Sequence, residues 1–191
     1  MRLSILIATI PERKPSFIQL LIEFKRQTDL LPTVEVSWNP APKKEMSIGE
    51  KRNRLLKAAN GDYIVFFDDD DWPSPNYVQL ILKAIETNPD CIGINIDMTT
   101  NGQKPQSCIH SKENKTWFDK KGVYYRNVTH FNPVKRELAQ AVGFKDLRFG
   151  EDKDYADRLT SLCNTEVFIE EPLFNYRYSN LEKHNSKYGI E

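Results

Sequence analysis

The stretch Asp62-Tyr63-Ile64-Val65-Phe66-Phe67-Asp68-Asp69-Asp70-Asp71-Trp72-Pro73 constrains this chain more than any other. Its β-branched and aromatic first half predicts a buried strand, and four consecutive carboxylates end that strand abruptly. Packing does not ask for such an ending. Charges this close repel one another, and at the mouth of an α/β sheet they are tolerable chiefly where a cation neutralises them. The plainer alternative is a solvated acidic turn ahead of Pro73 and Pro75, although turns rarely stack four acids directly behind an apolar strand. An oxygen-only ligand set suits Mg²⁺ or Mn²⁺ rather than zinc. Because a strand alternates its faces, all four acids can point inward only if the turn begins early.

The 191 residues allow one sizeable core, so a single domain over 1–191 is expected. Lys and Arg number 27, as do Asp and Glu, which removes any general attraction to nucleic acid; no nucleic-acid partner is expected. Cys91, Cys108 and Cys163 show no metal-ligand spacing and read as thiols of a reducing compartment. The apolar run after Met1 is too short for a signal-peptide core, and no later run approaches the ~20 residues of a spanning helix. A soluble, cytosolic protein without a transmembrane segment is therefore expected.

In chain order, Leu3 to Ala8 predicts a central strand, and the loop Thr9-Ile10-Pro11-Glu12-Arg13 follows it. Pro15 and Ser16 open a helix with Phe17, Leu20, Leu21 and Phe24 on one face. Thr33 to Trp38 reads as a second strand, ended by Asn39-Pro40-Ala41-Pro42. Ser47-Ile48-Gly49-Glu50 has the form of a capping box, and the helix it starts carries Lys51, Arg52, Asn53 and Arg54 before ending at Asn60-Gly61. A helix over Pro75 to Thr87 and a strand over Cys91 to Met98 come next. Residues 99–130 are polar, with strand-like pieces at Ser107 to His110, Thr116 to Phe118 and Val123 to Tyr125. Helices are predicted over Pro133 to Val142 and Gly150 to Leu162, and late strands over Glu166 to Ile169 and Leu173 to Tyr178.

Three segments together resemble the nucleotide-sugar glycosyltransferases of family 2, which have the GT-A fold. They are Ser4-Ile5-Leu6-Ile7-Ala8-Thr9 with Arg13; Gly49-Glu50-Lys51-Arg52-Asn53 running through Ala59-Asn60-Gly61-Asp62-Tyr63-Ile64 into Asp68-Asp69-Asp70-Asp71; and Phe149-Gly150-Glu151-Asp152-Lys153-Asp154-Tyr155-Ala156-Asp157-Arg158-Leu159. A lone Asp-x-Asp is weak, but the three in this order span residues 4 to 159. The resemblance implies an α/β, Rossmann-like fold with a mostly parallel central sheet and a small antiparallel extension. Residues 1–98 would form the nucleotide-sugar and metal-binding half and 99–191 the acceptor-side half, together a minimal catalytic core.

The same resemblance implies a metal-dependent, inverting transfer of a sugar from a nucleoside-diphosphate donor, UDP-linked, to a glycan or other hydroxyl acceptor. It places Thr9, Arg13, Arg52, Asn53, Asp68 and Asp69 around the nucleotide, Asp70 and Asp68 on a Mn²⁺ or Mg²⁺ ion, and His184 as a late ligand; a solvated tail histidine is the competing reading of His184. The Asp that the family often sets after its second strand for a uracil-type base is missing, and Asn39 is the nearest substitute. Asp152 would be the base that deprotonates the acceptor, with Glu151 orienting it; helix capping is the competing reading of Glu151. His130 ahead of the last helices would line the donor or acceptor pocket, or simply connect a strand to a helix.

Three other classes fit less well. A nucleotidyltransferase usually cradles a triphosphate in a glycine-rich loop, and Thr9 to Arg13 contains no glycine. A metal-dependent nuclease would need a basic face. A non-catalytic sugar-nucleotide or glycan-binding module would have no use for both acid segments, and turnover separates it from an enzyme.

Overall fold

In strand β1 (Leu3–Ala8), Leu3, Ile5 and Ile7 pack on one side of the sheet and Leu6 on the other. The same period of two recurs in β3 (Tyr63–Phe66), where Tyr63 and Val65 join the first side and Ile64 and Phe66 the second. Strands buried on both faces need helices on both faces. The computed structural model, which describes residues 2–178, supplies them. Helices α1 (Lys14–Thr28) and α3 (Tyr77–Ile85) cover the first face through Phe17, Leu20, Phe24, Val78 and Ile81. Helices α2 (Ile48–Ala58), α4 (Arg136–Val142) and α5 (Glu151–Thr160) cover the second through Leu55, Leu56, Ala139, Tyr155 and Leu159.

The sheet order is β2-β1-β3-β9-β5-β6-β8-β7, where β2 is Val34–Asn39, β5 Cys91–Thr100, β6 Gln106–His110, β7 Phe118–Lys120, β8 Val123–Arg126 and β9 Val134–Lys135. β1 runs parallel to β2 and β3, whereas β9 is antiparallel to both β3 and β5. The meander over residues 99–130 is the expected extension: β6 pairs antiparallel with β5, and β7 antiparallel with β8.

Three boundaries differ from those read in the sequence. The segment from Pro133 does not begin as a helix. Val134 and Lys135 first pair with Ile64 and Tyr63 as β9, and α4 starts only at Arg136. The piece expected at Thr116 to Phe118 lies at Phe118–Lys120, because its register is set by Val123 to Tyr125 across the turn. The two late strands form one irregular strand, β10 (Glu166–Tyr178), whose register against β5 shifts on either side of Pro172. Pro172 cannot donate a ladder hydrogen bond, so a shift there is the expected accommodation. The second half of β10 also pairs with β4 (Trp72–Pro73), which draws it over the acidic turn.

Candidate active site

Parallel strands deliver their following loops to one edge of a sheet, and here β1 and β3 set Thr9 beside the acidic turn. The turn begins early. Strand β3 ends at Phe66, and the Asp71 N–H already turns back to the Asp68 carbonyl at 3.3 Å. The four acids therefore separate. Asp69 points back toward β1, accepting from the Thr9 hydroxyl at 2.6 Å and from Arg13 at 2.6 Å. Asp68, Asp70 and Asp71 each offer an oxygen, and these oxygens lie within 4.8 Å of one another.

Each acid answers to its own surroundings. Burial would raise Asp68, but the His130 ring and the Arg52 guanidinium beside it outweigh that and hold it well below the usual carboxylate range. Burial and the Asp68 charge push Asp70 up to about 6, against the pull of Arg13 at 3.0 Å. Asp71 is buried, accepts from the Arg177 N–H at 3.1 Å through Oδ1, and is raised by that burial and by its acidic neighbours. Its Oδ2 is buried with no partner. An orphaned carboxylate oxygen beside two further carboxylates, all oxygen donors, fits a hard divalent cation such as Mg²⁺ or Mn²⁺.

Helix α2 brings positive charge to the same place. The Ser47 hydroxyl accepts from the Glu50 N–H at 3.0 Å, the N-cap half of a capping box, while the Glu50 carboxylate takes a bond from Arg54 instead; the cap fixes where the helix starts. Lys51 and Arg52 then fall on the buried stripe shared with Gly49, Leu55 and Leu56, and they are 2% and 4% exposed. Lys51 donates to the Thr9 carbonyl at 2.8 Å, and burial pushes its ammonium down. Arg52 donates to Glu151 at 2.5 Å and to Asp68 at 3.2 Å, and it lies 3.1 Å from His130 Nε2.

Glu151 and Asp152 open helix α5 behind Gly150, whose φ of +80° is a left-handed conformation suited to glycine. Glu151 is buried, and that burial, with the Asp152 charge, raises its carboxyl against the pull of Arg52. Both acids line a cleft of about 960 Å³ together with Thr9, Arg13, Asp68 and Asp70. Phe131, Tyr176, Arg148 and the exposed Phe149 complete its walls.

The structure thus gathers most of the expected site residues in one cleft: Thr9, Arg13, Arg52, Asp68, Asp69, Asp70, Glu151 and Asp152. Two lie off it. Asn53 is spent on the backbone of Phe144, donating to its carbonyl and accepting from its N–H at 2.8 Å each, and so ties α2 to the end of α4. Asn39 accepts from the Ala41 N–H at 3.0 Å and closes its own turn. His184 lies outside the described residues. His130 lies in the connection between β8 and β9, rather than between a strand and a helix, and lines the cleft.

Sequence reasoning missed the role of Asp71, because nothing local shows that β10 returns 106 residues later to bond it. It missed Tyr176 for the same reason. Lys51 was findable: a basic residue at a core position of an amphipathic helix implies a buried partner.

Residues 41–143 match the sequence profile of glycosyl transferase family 2. A curated relative, the putative glycosyltransferase EpsH of Bacillus subtilis (strain 168), is 24% identical over 146 residues, covering 68% of this chain and 41% of the relative. Among solved structures, S. aureus TarS 1-349 superposes with a TM-score of 0.67 at 15% identity, over 93% of this chain and 60% of that one. Its complex with UDP-GlcNAc gives 0.66 at 14% identity, over 93% and 58%. This chain therefore spans well under two thirds of the length of these relatives. The TarS superpositions confirm the expected α/β architecture as the GT-A fold. With more than half of its length matched by the family profile, the chain belongs to glycosyl transferase family 2.

Proposed function

We propose that this chain transfers a sugar from a UDP-linked donor to a hydroxyl of a glycan or another acceptor, with inversion at the sugar carbon and with Mn²⁺ or Mg²⁺. The observation that carries the reading is that the acidic turn and the Glu151–Asp152 pair face one cleft, which is at the upper end of the roughly 300–1,000 Å³ usual for small-molecule sites. Membership of the family and the UDP-GlcNAc complex of TarS support a nucleotide-sugar donor. A divalent cation would be held by Asp70 and Asp68, with Asp71 beside them. When bound, it supplies Lewis-acid stabilisation of the diphosphate leaving group.

The chain's own residues divide the remaining work. Arg13, 35% exposed and bonded to Asp69 and Asp70, stands where its guanidinium would meet the donor phosphates. Lys51 holds the Thr9 carbonyl and so fixes the loop against which the nucleotide would lie. Phe131 and Tyr176 wall the cleft and limit water there. Asp152 takes the proton from the acceptor hydroxyl as that oxygen attacks from the side opposite the leaving group, which gives inversion. Glu151, held by Arg52, keeps its carboxylate beside Asp152 without being free to act as the base.

Calorimetric titration with UDP, first with Mn²⁺ and then with EDTA, tests the donor and the metal together. Wild type binds UDP in Mn²⁺ and much more weakly in EDTA, because carboxylates facing a diphosphate repel it; Asp70→Ala loses the difference while remaining folded. Equal affinity under both conditions overturns the metal assignment. No UDP binding under either, with no turnover across a panel of sugar nucleotides, overturns the donor assignment.

A further inference from the structure

The resemblance to the family places Arg52 on the nucleotide, but in the structure the donors of Arg52 that are bonded all go to protein groups. Nη1 donates to Glu151 Oε1 at 2.5 Å. Nη2 is shared between Asp68 Oδ1 at 3.2 Å and His130 Nε2 at 3.1 Å. The Nε–H is buried without a partner, and the guanidinium lies against the rings of Phe144 and Phe66, 5.5 and 6.0 Å from their centroids. At 5% exposure the side chain is walled in by protein on all these sides. Arg13 is the contrasting case, since its side chain is 35% exposed.

We propose that Arg52 is a positioning residue, a strut that fixes the distance between the acidic turn and the start of helix α5 by holding Asp68 and Glu151 at once. The two carboxylates come from segments of opposite halves of the chain, and Glu151 lies 99 residues from Arg52. No backbone ladder spans the gap between them among the described residues; β3 is joined to its neighbours β1 and β9 only. A rigid planar cation with separate donors grips two carboxylates at a set spacing, whereas an ammonium, a compact point charge on a flexible stem, sets no such spacing. The catalytic consequence rests on the function proposed above: with Glu151 gripped, Asp152 on the next position of the helix is held at a set place relative to the donor. Arg52 would touch neither substrate.

The test uses Arg52→Lys, Arg52→Met, Glu151→Gln and the double variant Arg52→Met/Glu151→Gln. With Mn²⁺ at saturation, so that any weakening of the cation at Asp68 is made up, Arg52→Lys keeps wild-type UDP affinity and donor KM, while kcat falls about 10- to 100-fold, the usual cost of losing a group that orients a functional one. A loss of UDP affinity with kcat retained makes Arg52 a nucleotide ligand and overturns the proposal. Arg52→Met strands Glu151 as a buried charge and unfolds at markedly lower urea than wild type, or fails to fold; Glu151→Gln in the same chain restores the midpoint in part. No restoration in the double variant overturns the strut whatever the activity. If wild type neither binds UDP nor turns over, the proposed function fails, and the unfolding comparison still decides the strut.

Discussion

Gly49→Ala sets two rules of stability against each other. Gly49 occupies the first turn of α2, and helix propensity alone makes alanine better there by up to about 1 kcal/mol. The structure predicts the reverse. A methyl group on Gly49 would sit 2.0 Å from the Lys145 carbonyl oxygen, 3.0 Å from its carbon and 3.3 Å from the Leu147 nitrogen. These are backbone atoms, so no side chain can swing aside. Ordinary contact needs the 145–147 segment to retreat by about 1.4 Å. That movement breaks the 3.3 Å bond from the Gly49 N–H to the Leu147 carbonyl and strains the bond from Ser47 to Asp146. Overpacking of this kind costs about 1–3 kcal/mol, which exceeds the propensity gain. Urea unfolding followed by circular dichroism should show a lower midpoint with an unchanged slope. The displaced segment runs directly into Phe149, Glu151 and Asp152, so turnover should fall as well while UDP affinity holds. A variant as stable as wild type, or more so, would refute the close packing of α2 on this loop.

Two further outcomes follow from single side chains. Asp152→Asn keeps the Oδ1 that accepts from the Lys153 N–H at 2.8 Å and loses only a helix-start charge, about 0.3–1 kcal/mol of stability, whereas turnover should drop about 10²- to 10⁴-fold with UDP affinity retained; near-wild-type turnover would remove Asp152 as the base. Asp90→Ala should cost about 2 kcal/mol by equilibrium unfolding, because Asp90 accepts from Lys135 at 2.9 Å and from the N–H groups of Asn164 and Thr165 at 2.9 and 3.1 Å. Burial would raise the Asp90 carboxyl, but Lys135 and those N–H groups outweigh it and hold it below its ordinary value of 3.8. Its stabilisation is therefore present above that value and lost as the pH falls through the lower folded one. A wild-type and Asp90→Ala pair whose stability gap stays constant from pH 7 to pH 2 would contradict this.

What the sequence made legible depended on how far apart the cooperating residues lie. Leu3 to Ala8, the Ser47 capping box and the aspartate-ended strand each declare themselves within a few residues, through period, cap and charge, and the structure places all of them as read. Alternation in β1 and β3 even foretells both helical layers, since a strand apolar on both faces cannot face water. Asn53 answers to a partner its motif does not name. Its place one residue after Arg52 on α2 turns it off the buried stripe toward Phe144, so neighbouring positions of one motif meet different surroundings. The partners that decide chemistry are farther still. Asp69 is answered by Thr9, 60 residues back, Glu151 by Arg52 across 99, and Asp71 by the Arg177 backbone across 106. No spacing rule reaches over such intervals. A buried charge nevertheless announces that a partner must exist, because desolvation without one is too costly to persist. Lys51 and Arg52, basic residues on the apolar stripe of α2, therefore imply acids or carbonyls at the sheet edge before any coordinate is known, and Thr9, Asp68 and Glu151 meet that demand.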